Sequence, residues 1–337
     1  SDKIYSNINL SGLSEIKYKP WIIKKKIVVE KPSLSNNTDD VFRLKKSLTS
    51  VFEKEDINID LEIIKKIPAV LRDNNWTVEV IYNLISNKII DIYPPGKIEK
   101  MIGIAADIGT TTIVLQFVNL ENGNIIGYES DYNPQIKYGE DIINRIVYSL
   151  KKDGLKRLQN AVIDNINRMI LNFSKKINIS FEQIFIFMLA GNSTMVHIFY
   201  GVSPKSIREE PYITVTNSFP EIYAHEIGLK TAKKATLYSI SGVASYLGGD
   251  ITSGVLATGI SRQKELSLFI DLGTNGEIVT GNSDWLIGCS CSAGPAFEGG
   301  GVKCGVRAIE GAIEKVQIEQ NTYKCKSEVS GVLKPIG

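Results

Sequence analysis

The segments Asp107-Ile108-Gly109-Thr110-Thr111-Thr112 and Asp271-Leu272-Gly273-Thr274-Asn275-Gly276 follow one order of residue types, and each comes after an apolar run with the character of a strand. A strand ending in Asp offers a carboxylate that can hold a metal-bound water. The Gly lets the backbone turn tightly, so that N–H groups face an anion. The hydroxyls of Thr110 to Thr112 add donors that carry no charge. This combination suits the gripping of a phosphate chain together with magnesium. Asp-x-Gly-Thr also occurs at ordinary strand-to-turn junctions, so one copy would say little. Its recurrence at 107 and 271 describes a duplicated half-domain with ATP between the halves.

On this reading Asp107 and Asp271 hold magnesium through water. Gly109, Thr110, Thr111 and Thr112, with Gly273, Thr274 and Asn275, contact phosphate. The buried run Ile184 to Ala190 delivers Gly191-Asn192-Ser193-Thr194 at its carboxyl end, where open α/β sheets hold ligands. Those four residues therefore join the candidate nucleotide contacts, although an ordinary helix cap would look the same. Activating a water needs a carboxylate from outside the turns, and Glu140, Asp141 and Glu277 stand as alternatives. Gly139-Glu140-Asp141 also fits a plain helix entry, where acidic residues favour the helix dipole.

The elements that must position these groups read as follows. Residues 1–20 are a flexible leader. Trp21 to Glu30 is a strand whose Lys24-Lys25-Lys26 run is a solvated edge. Asp39 caps a helix with apolar residues at Val41, Leu44, Leu48 and Phe52, and a second short helix spans Asp60 to Ile67. Trp76 to Tyr82 and Lys88 to Tyr93 pair as strands, and Pro94-Pro95-Gly96 closes a small α/β module over 21–100. A first nucleotide-binding lobe spans 101–265. In it, strands at Ile113 to Asn119 and Ile125 to Ser130 precede helices at Gly139 to Leu150 and Leu155 to Ile177. Val215 to Thr236 is loop-rich, and a helix over Ala244 to Thr258 follows. The second lobe occupies 266–337, with strands at Asp271 to Thr280, Trp285 to Ser290 and Ala312 to Ile318. It lacks a helical layer, so the sequence reads as truncated at its C-terminus.

Composition narrows the function. With 337 residues, 43% hydrophobic and 23% charged, the chain has the makeup of a globular protein of two or three domains. Lys and Arg number 39 against 37 Asp and Glu, which leaves no general footprint for nucleic acid or a membrane surface. The apolar runs fall short of the roughly 20 residues a bilayer span needs, and without a signal peptide the chain reads as cytoplasmic. Cys289, Cys291, Cys304 and Cys325 fit neither a disulfide framework nor an iron–sulfur site. Cys289-Ser-Cys291 reads as small buried residues beside a Gly-rich turn rather than as a soft-metal or redox pair. His197 reads as helix packing and His225 as a loop residue.

The duplicated turn resembles the actin-like ATPase superfamily. More specifically, five ordered motifs resemble the ATP-dependent reductive activators of corrinoid proteins. They are Asp107-Ile-Gly-Thr-Thr-Thr112, Asn133-Pro-Gln-Ile-Lys-Tyr-Gly-Glu-Asp141, Ala190-Gly-Asn-Ser-Thr-Met195, Asp271-Leu-Gly-Thr-Asn-Gly-Glu277 and Ser292-Ala-Gly-Pro-Ala-Phe-Glu-Gly299. The resemblance implies an α/β, actin-like (ribonuclease H-like) two-lobe ATPase fold with an incomplete second lobe, preceded by the small α/β module. It implies ATP-dependent return of an inactive Co(II) corrinoid protein to Co(I) for a methyltransferase system. ATP and Mg2+ are the implied cofactors. A [2Fe-2S] centre is expected in the full-length protein, whose C-x4-C-x2-C pattern is not found here. The implied partner is a corrinoid (iron–sulfur) protein, and homodimer formation is a candidate role of the small module. Two alternatives share the fold: a small-molecule kinase, and a nucleotide-switched chaperone or filament protein.

Overall fold

Asp39 begins the first helix by accepting the Phe42 amide at 2.8 Å, and Leu44 and Leu48, one turn apart, carry the helix into a core. The computed structural model describes residues 18–273, 275–291, 315–319 and 322–326, the last two segments by their backbone. Contacts divide the chain into two units, Ser1–Asp250 and Ile251–Gly337.

The first unit opens with β1 (Ile22–Val28), α1 (Asp40–Phe52), α2 (Leu61–Asp73), β2 (Thr77–Asn83) and β3 (Lys88–Tyr93). The strands form an antiparallel sheet in that order, over a core that includes Ile27, Leu48, Ile67 and Val80. Helix α2 runs on past the expected end at Ile67 and through Pro68. Burial of Ile63, Ile67 and Leu71 on one stripe offsets the backbone bond that Pro68 cannot make. Trp76 does not start β2 as expected. It is buried at the turn from α2, where Asn75 and Trp76 both take positive φ. Of the three lysines on edge strand β1, Lys25 and Lys26 are exposed as expected, whereas Lys24 bonds the Ile98 carbonyl at 2.8 Å and pairs with Glu121 at 3.1 Å.

The same unit continues through β4 (Ile102–Ile108), β5 (Thr112–Asn119), β6 (Ile125–Tyr132), α3 (Ile142–Ser149), α4 (Gly154–Ile177), β7 (Ile184–Gly191), α5 (Ser193–Phe199), α6 (Lys205–Arg208), β8 (Ile222–Tyr223), β9 (Thr236–Ser239) and α7 (Gly249–Thr258), the last crossing into the second unit. Its strands form one sheet in the order β6-β5-β4-β7-β9-β8, parallel where β7 meets β4 and β9. Strand β8 lies within the stretch read from sequence as loop-rich, and β9 begins at its last residue, Thr236. Helix α3 starts later than expected because Asp141, accepting the Asn144 amide at 2.7 Å, is its cap. The stripe Leu158, Val162, Ile166, Ile170 and Phe173 of α4 is buried as expected, and Phe173 stacks on Phe117 at 3.9 Å.

The small α/β module is fastened to the β8–β9 end of this sheet. Asn83 donates to the Tyr238 hydroxyl at 2.9 Å, Trp21 meets Tyr238 edge-on at 5.4 Å, and Lys233 pairs with Glu62 at 2.7 Å. At the centre, the Asp60 carboxylate accepts Lys234 and the Tyr223 hydroxyl, each at 2.7 Å, with Lys88 at 3.3 Å. Ile22, Ile81, Ile90 and Tyr93 join the core of the larger sheet.

The second unit holds β10 (Ser267–Leu272), β11 (Gly276–Gly281) and β12 (Leu286–Cys291) as an antiparallel meander, and β13 (Lys315–Glu319) paired with β14 (Thr322–Lys326). Inside it Phe269 packs closely on Gly254. Among the described residues no helix is long and apolar enough to cross a membrane.

The Asp60 cluster generates a pH prediction. Partial burial resists ionisation of Asp60, but hydrogen bonds from Lys234, Tyr223 and Lys88 outweigh it and bring its pKa down to about 2. A carboxylate held below its unfolded value contributes stability above that value and loses it as pH falls through the folded value. Asp60→Asn should therefore lower Tm by about 2–4 °C near neutral pH, a modest amount because the site is partly solvated. The gap between wild type and variant should close between pH 4 and pH 2, as followed by thermal unfolding across that range.

Candidate functional site

Strands β4 and β7 run side by side, and their register sets Asp107 opposite Ala190 and Ile108 opposite Gly191. Both chains leave the sheet at the same end, so the turn after β4 and the turn after β7 are neighbours. Close packing there demands glycine. A Cβ on Gly191 would sit 2.8 Å from the Ile108 carbonyl oxygen, and one on Gly109 would sit 2.8 Å from the Thr112 carbonyl oxygen. The first turn is closed by the Gly109 N–H donating to Thr112 O at 2.9 Å.

Asn133 decides which way this turn faces. The residue is fully buried at the end of β6, its Nδ2 donates to Gly109 O at 2.8 Å and its backbone N–H to Thr111 O at 2.7 Å. Its own Oδ1 accepts the Gln135 amide at 3.0 Å, which caps the 3-10 turn Pro134–Lys137. With two of the turn's carbonyls satisfied from behind, the Thr110 and Thr111 amides have no acceptor among the described residues. Two such adjacent donors form a concavity suited to an anion. Asp107 is exposed at the strand end beside them.

The second turn leans on the first. Asn192 Nδ2 donates to Thr110 Oγ1 at 3.2 Å while its Oδ1 caps α5 by accepting the Met195 amide at 2.9 Å. Gly248 backs the turn so closely that a Cβ there would lie 2.6 Å from Asn192 Cα and 2.7 Å from the Ser193 nitrogen. Among the expected contacts, Gly191 and Asn192 thus meet the first turn. Ser193 is nearly buried and its hydroxyl is given to Ala244 O at 2.8 Å, and Thr194 is buried.

The carboxylates differ in setting. Glu140 and Asp141 are exposed, and Asp141 is engaged as the α3 cap, which also accepts Asn144 Nδ2 at 2.9 Å. In the second unit Asp271 and Glu277 face each other across the β10–β11 pair, and Glu277 accepts the Ser290 hydroxyl at 3.2 Å. The turn there is closed by Gly273 N–H on Asn275 O at 2.9 Å; Thr274 lies outside the described residues.

Other expectations resolve individually. His197 is buried in α5, its Nδ1–H donates to Ser193 O at 2.6 Å, and burial pushes its pKa down, consistent with a packing role. His225 sits in the short turn Ala224–Ile227. Cys289 and Cys291 are a correction: they are exposed on β12 instead of buried, on a strand whose residues Leu286 to Cys289 are all exposed, so that neither of its faces is covered there. Cys304 and the motif from Ser292 to Gly299 lie outside the described residues, as does the side chain of Cys325. Among the described residues no three His, Cys, Asp or Glu side chains form a metal-holding group. Magnesium held by one or two carboxylates, waters and phosphate oxygens needs no such group. Sequence reasoning quoted Asn133 in a motif but gave it no role in the site. An Asn-Pro pair ending a strand is an Asx-turn signal that would have pointed to it.

The architecture places the chain in the actin-like class, and residues 265–337 match the C-terminal domain of RACo, described as the ASKHA domain. Residues 11–99 match the RACo linker region and 102–263 the RACo middle region. The chain belongs to the RACo family. It is similar to the corrinoid activation enzyme RamQ of Eubacterium limosum, 33% identical over 295 residues, which cover 82% of this chain and 49% of that protein. It is also similar to a [Co(II) methylated amine-specific corrinoid protein] reductase of Methanosarcina barkeri, 26% identical over 236 residues, covering 66% and 42%. The solved structure of a reductive activator for corrinoid, iron-sulfur protein is 39% identical with a TM-score of 0.86, over 93% of this chain and 50% of that one. The chain thus spans about half the length of the curated relatives it matches.

Two substitutions test the site's construction. Asn133→Ala leaves two turn carbonyls with one donor fewer and a cap unmade, and should cost about 1–3 kcal/mol in denaturant unfolding. Gly248→Ala must displace the Asn192–Ser193 backbone, since the obstructing atoms are main chain. It should weaken nucleotide binding by at least about tenfold, read by calorimetric titration, while leaving a folded protein.

Proposed function

We propose that this chain is the nucleotide-holding part of an ATP-dependent reductive activator that returns a Co(II) corrinoid protein to Co(I). The observation that carries the reading is the turn Gly109–Thr112, whose Gly109 and Thr111 carbonyls Asn133 occupies and whose Thr110 and Thr111 amides have no acceptor among the described residues. The names of the relatives supply the reaction class.

The residues fit a phosphate chain with magnesium. The Thr110 and Thr111 amides would bind phosphate oxygens, Gly109 allows the close approach, and Asp107 at the strand end would hold a water on the metal. Asp271, Gly273 and Asn275 supply the matching set in the second unit. When bound, ATP would supply the free energy that brings one-electron reduction of the corrinoid within reach of cellular donors. The chain's own residues bind and orient: rigid turns on strand ends hold the anion without reorganising, so the bound state differs from the free one in charge at one defined place. A nucleotide state can change the affinity for the corrinoid partner only through such differential contact. The substrate is then the partner's cobalt, which would gain one electron from the iron–sulfur centre expected in the full-length protein.

The test uses the protein in its full natural length, a corrinoid protein from the same organism, a chemical reductant and magnesium. Absorbance of Co(I) should grow with ATP and not without it. Asp107→Ala should abolish that growth in a protein that still unfolds at the wild-type temperature. ATP hydrolysis without any Co(I) would sink the activator reading, and unchanged turnover in the folded variant would remove Asp107 from the site.

A further inference from the structure

The most deeply buried charge among the described residues of the first unit has no role in the reading above. Arg145, on α3, is fully buried. Its Nε donates to Gly139 O at 2.9 Å, and its Nη1 reaches two neutral acceptors, Gln135 Oε1 at the long distance of 3.4 Å and the weakly accepting Met195 Sδ at 3.3 Å. Its Nη2 has no partner among the described residues. Among the described residues no carboxylate lies within ion-pair distance, and Asp141, exposed at the helix start, acts on it only from a distance. Burial lowers the guanidinium pKa to about 10, so the group remains charged at neutral pH. A cation removed from water without a counter-charge is costly, and an apolar side chain of equal volume would fill the space at no such cost.

The position of Arg145 suggests what offsets that cost. Met195 Sδ, which Nη1 touches, is also approached at 3.8 Å by Asn133 Nδ2, the group that fastens Gly109 O. The Met195 amide is the one that Asn192 caps. Arg145 thus lies one side chain behind both turns.

We propose that Arg145 is a standing counter-charge for the anion held at these turns, acting through space as a positioning residue without touching the ligand. The proposal rests on the phosphate-site reading. A buried charge acts through a weakly screening interior, so its effect grows with the charge of the ligand. It favours a triphosphate over a diphosphate. A residue that merely held the 3-10 turn in place would weaken both ligands alike.

The experiment titrates MgATP and MgADP calorimetrically into the protein at its full natural length, with thermal unfolding of each variant as a folding check. Arg145→Met should weaken MgATP about tenfold and MgADP about threefold, whereas Arg145→Lys, which keeps the charge, should retain the wild-type ratio of the two. Should Arg145→Met fail to fold, Arg145→Gln, neutral but still a donor, takes its place. Equal weakening of both nucleotides, or none, overturns the proposal. Gly109→Ala separates the two readings, since it obstructs the turn itself. If wild type binds neither nucleotide, or Gly109→Ala binds both as wild type does, the phosphate site is wrong and Arg145 falls with it. If Gly109→Ala loses binding and Arg145→Met keeps the wild-type ratio, only the role of Arg145 is wrong.

Discussion

A four-residue turn has carbonyls and amides to satisfy, and the direction in which it can bind anything depends on which set is satisfied from inside the protein. In this chain Asn133 takes the carbonyls of Gly109 and Thr111, through its side chain and its backbone. That pair of bonds turns an ordinary hairpin into a surface of donors. It also fixes requirements further away. Asn133 must arrive at the end of β6 in register with Thr112, which pairs with Tyr132. Strand β6 in turn is tied to α4, where Asn165 and Arg168 both reach Asp131 and Lys176 reaches Glu129. Gly127 on β6 leaves room for the Phe173 ring, which could not stack on Phe117 past a Cβ. The longest helix of the first unit therefore contributes to the site by holding the strand that delivers one amide side chain.

The second constraint is closeness of approach. Two parallel strands ending together bring their exit turns within contact, and backbone can pass backbone at these distances only where side chains are missing. Gly109, Gly191 and Gly248 each face main-chain atoms that cannot give way. Rigidity here comes from packing of main chain on main chain, and Asn192 joins the two turns through Thr110. Farther along the sheet, the small α/β module meets β8 and β9, the edge that lies beyond β7. Its side chains bond Tyr223, Thr236 and Tyr238 there, which both fixes the module and leaves that edge with partners.

Most elements of the first unit were legible because period and punctuation agree in them. Asp39 ahead of Leu44 and Leu48 marks α1, and the alternation in Ile113 to Asn119 marks β5. Legibility failed where tertiary burial overrides a local signal. Pro68 reads as a stop, yet the stripe through Ile63, Ile67 and Leu71 carries α2 beyond it. Strands β8 and β9 are short and are identified by their partners more than by their own residues. In the candidate site the glycines and the aspartates were visible, because their types are rare in that order. The supporting residues were not, because Asn133 and Arg145 act through neighbours that the sequence places 24 and 50 residues away. The exposure of Cys289 and Cys291 was likewise invisible, since residue type alone does not tell whether a strand's faces are covered.

The duplication seen in the sequence is closer in the turns than in what supports them. Asp107 to Thr112 and Asp271 to Gly276 correspond position by position, and both stand in antiparallel meanders. Yet the first glycine closes its turn on the third residue after it and the second glycine on the second residue after it. Register sharpens the difference. Thr112 pairs with Tyr132, and Asn133 follows; Gly276 pairs with Cys291, and the residue that follows is Ser292, outside the described residues. The position that Asn133 holds in the first half is thus matched in sequence by a serine. Among the described residues, a side chain that fastens a turn carbonyl while capping the next turn is seen in the first half, where Asn133 does both. Similar binding sequences in the two halves thus close their turns differently, and in the first half the closure is backed by Asn133.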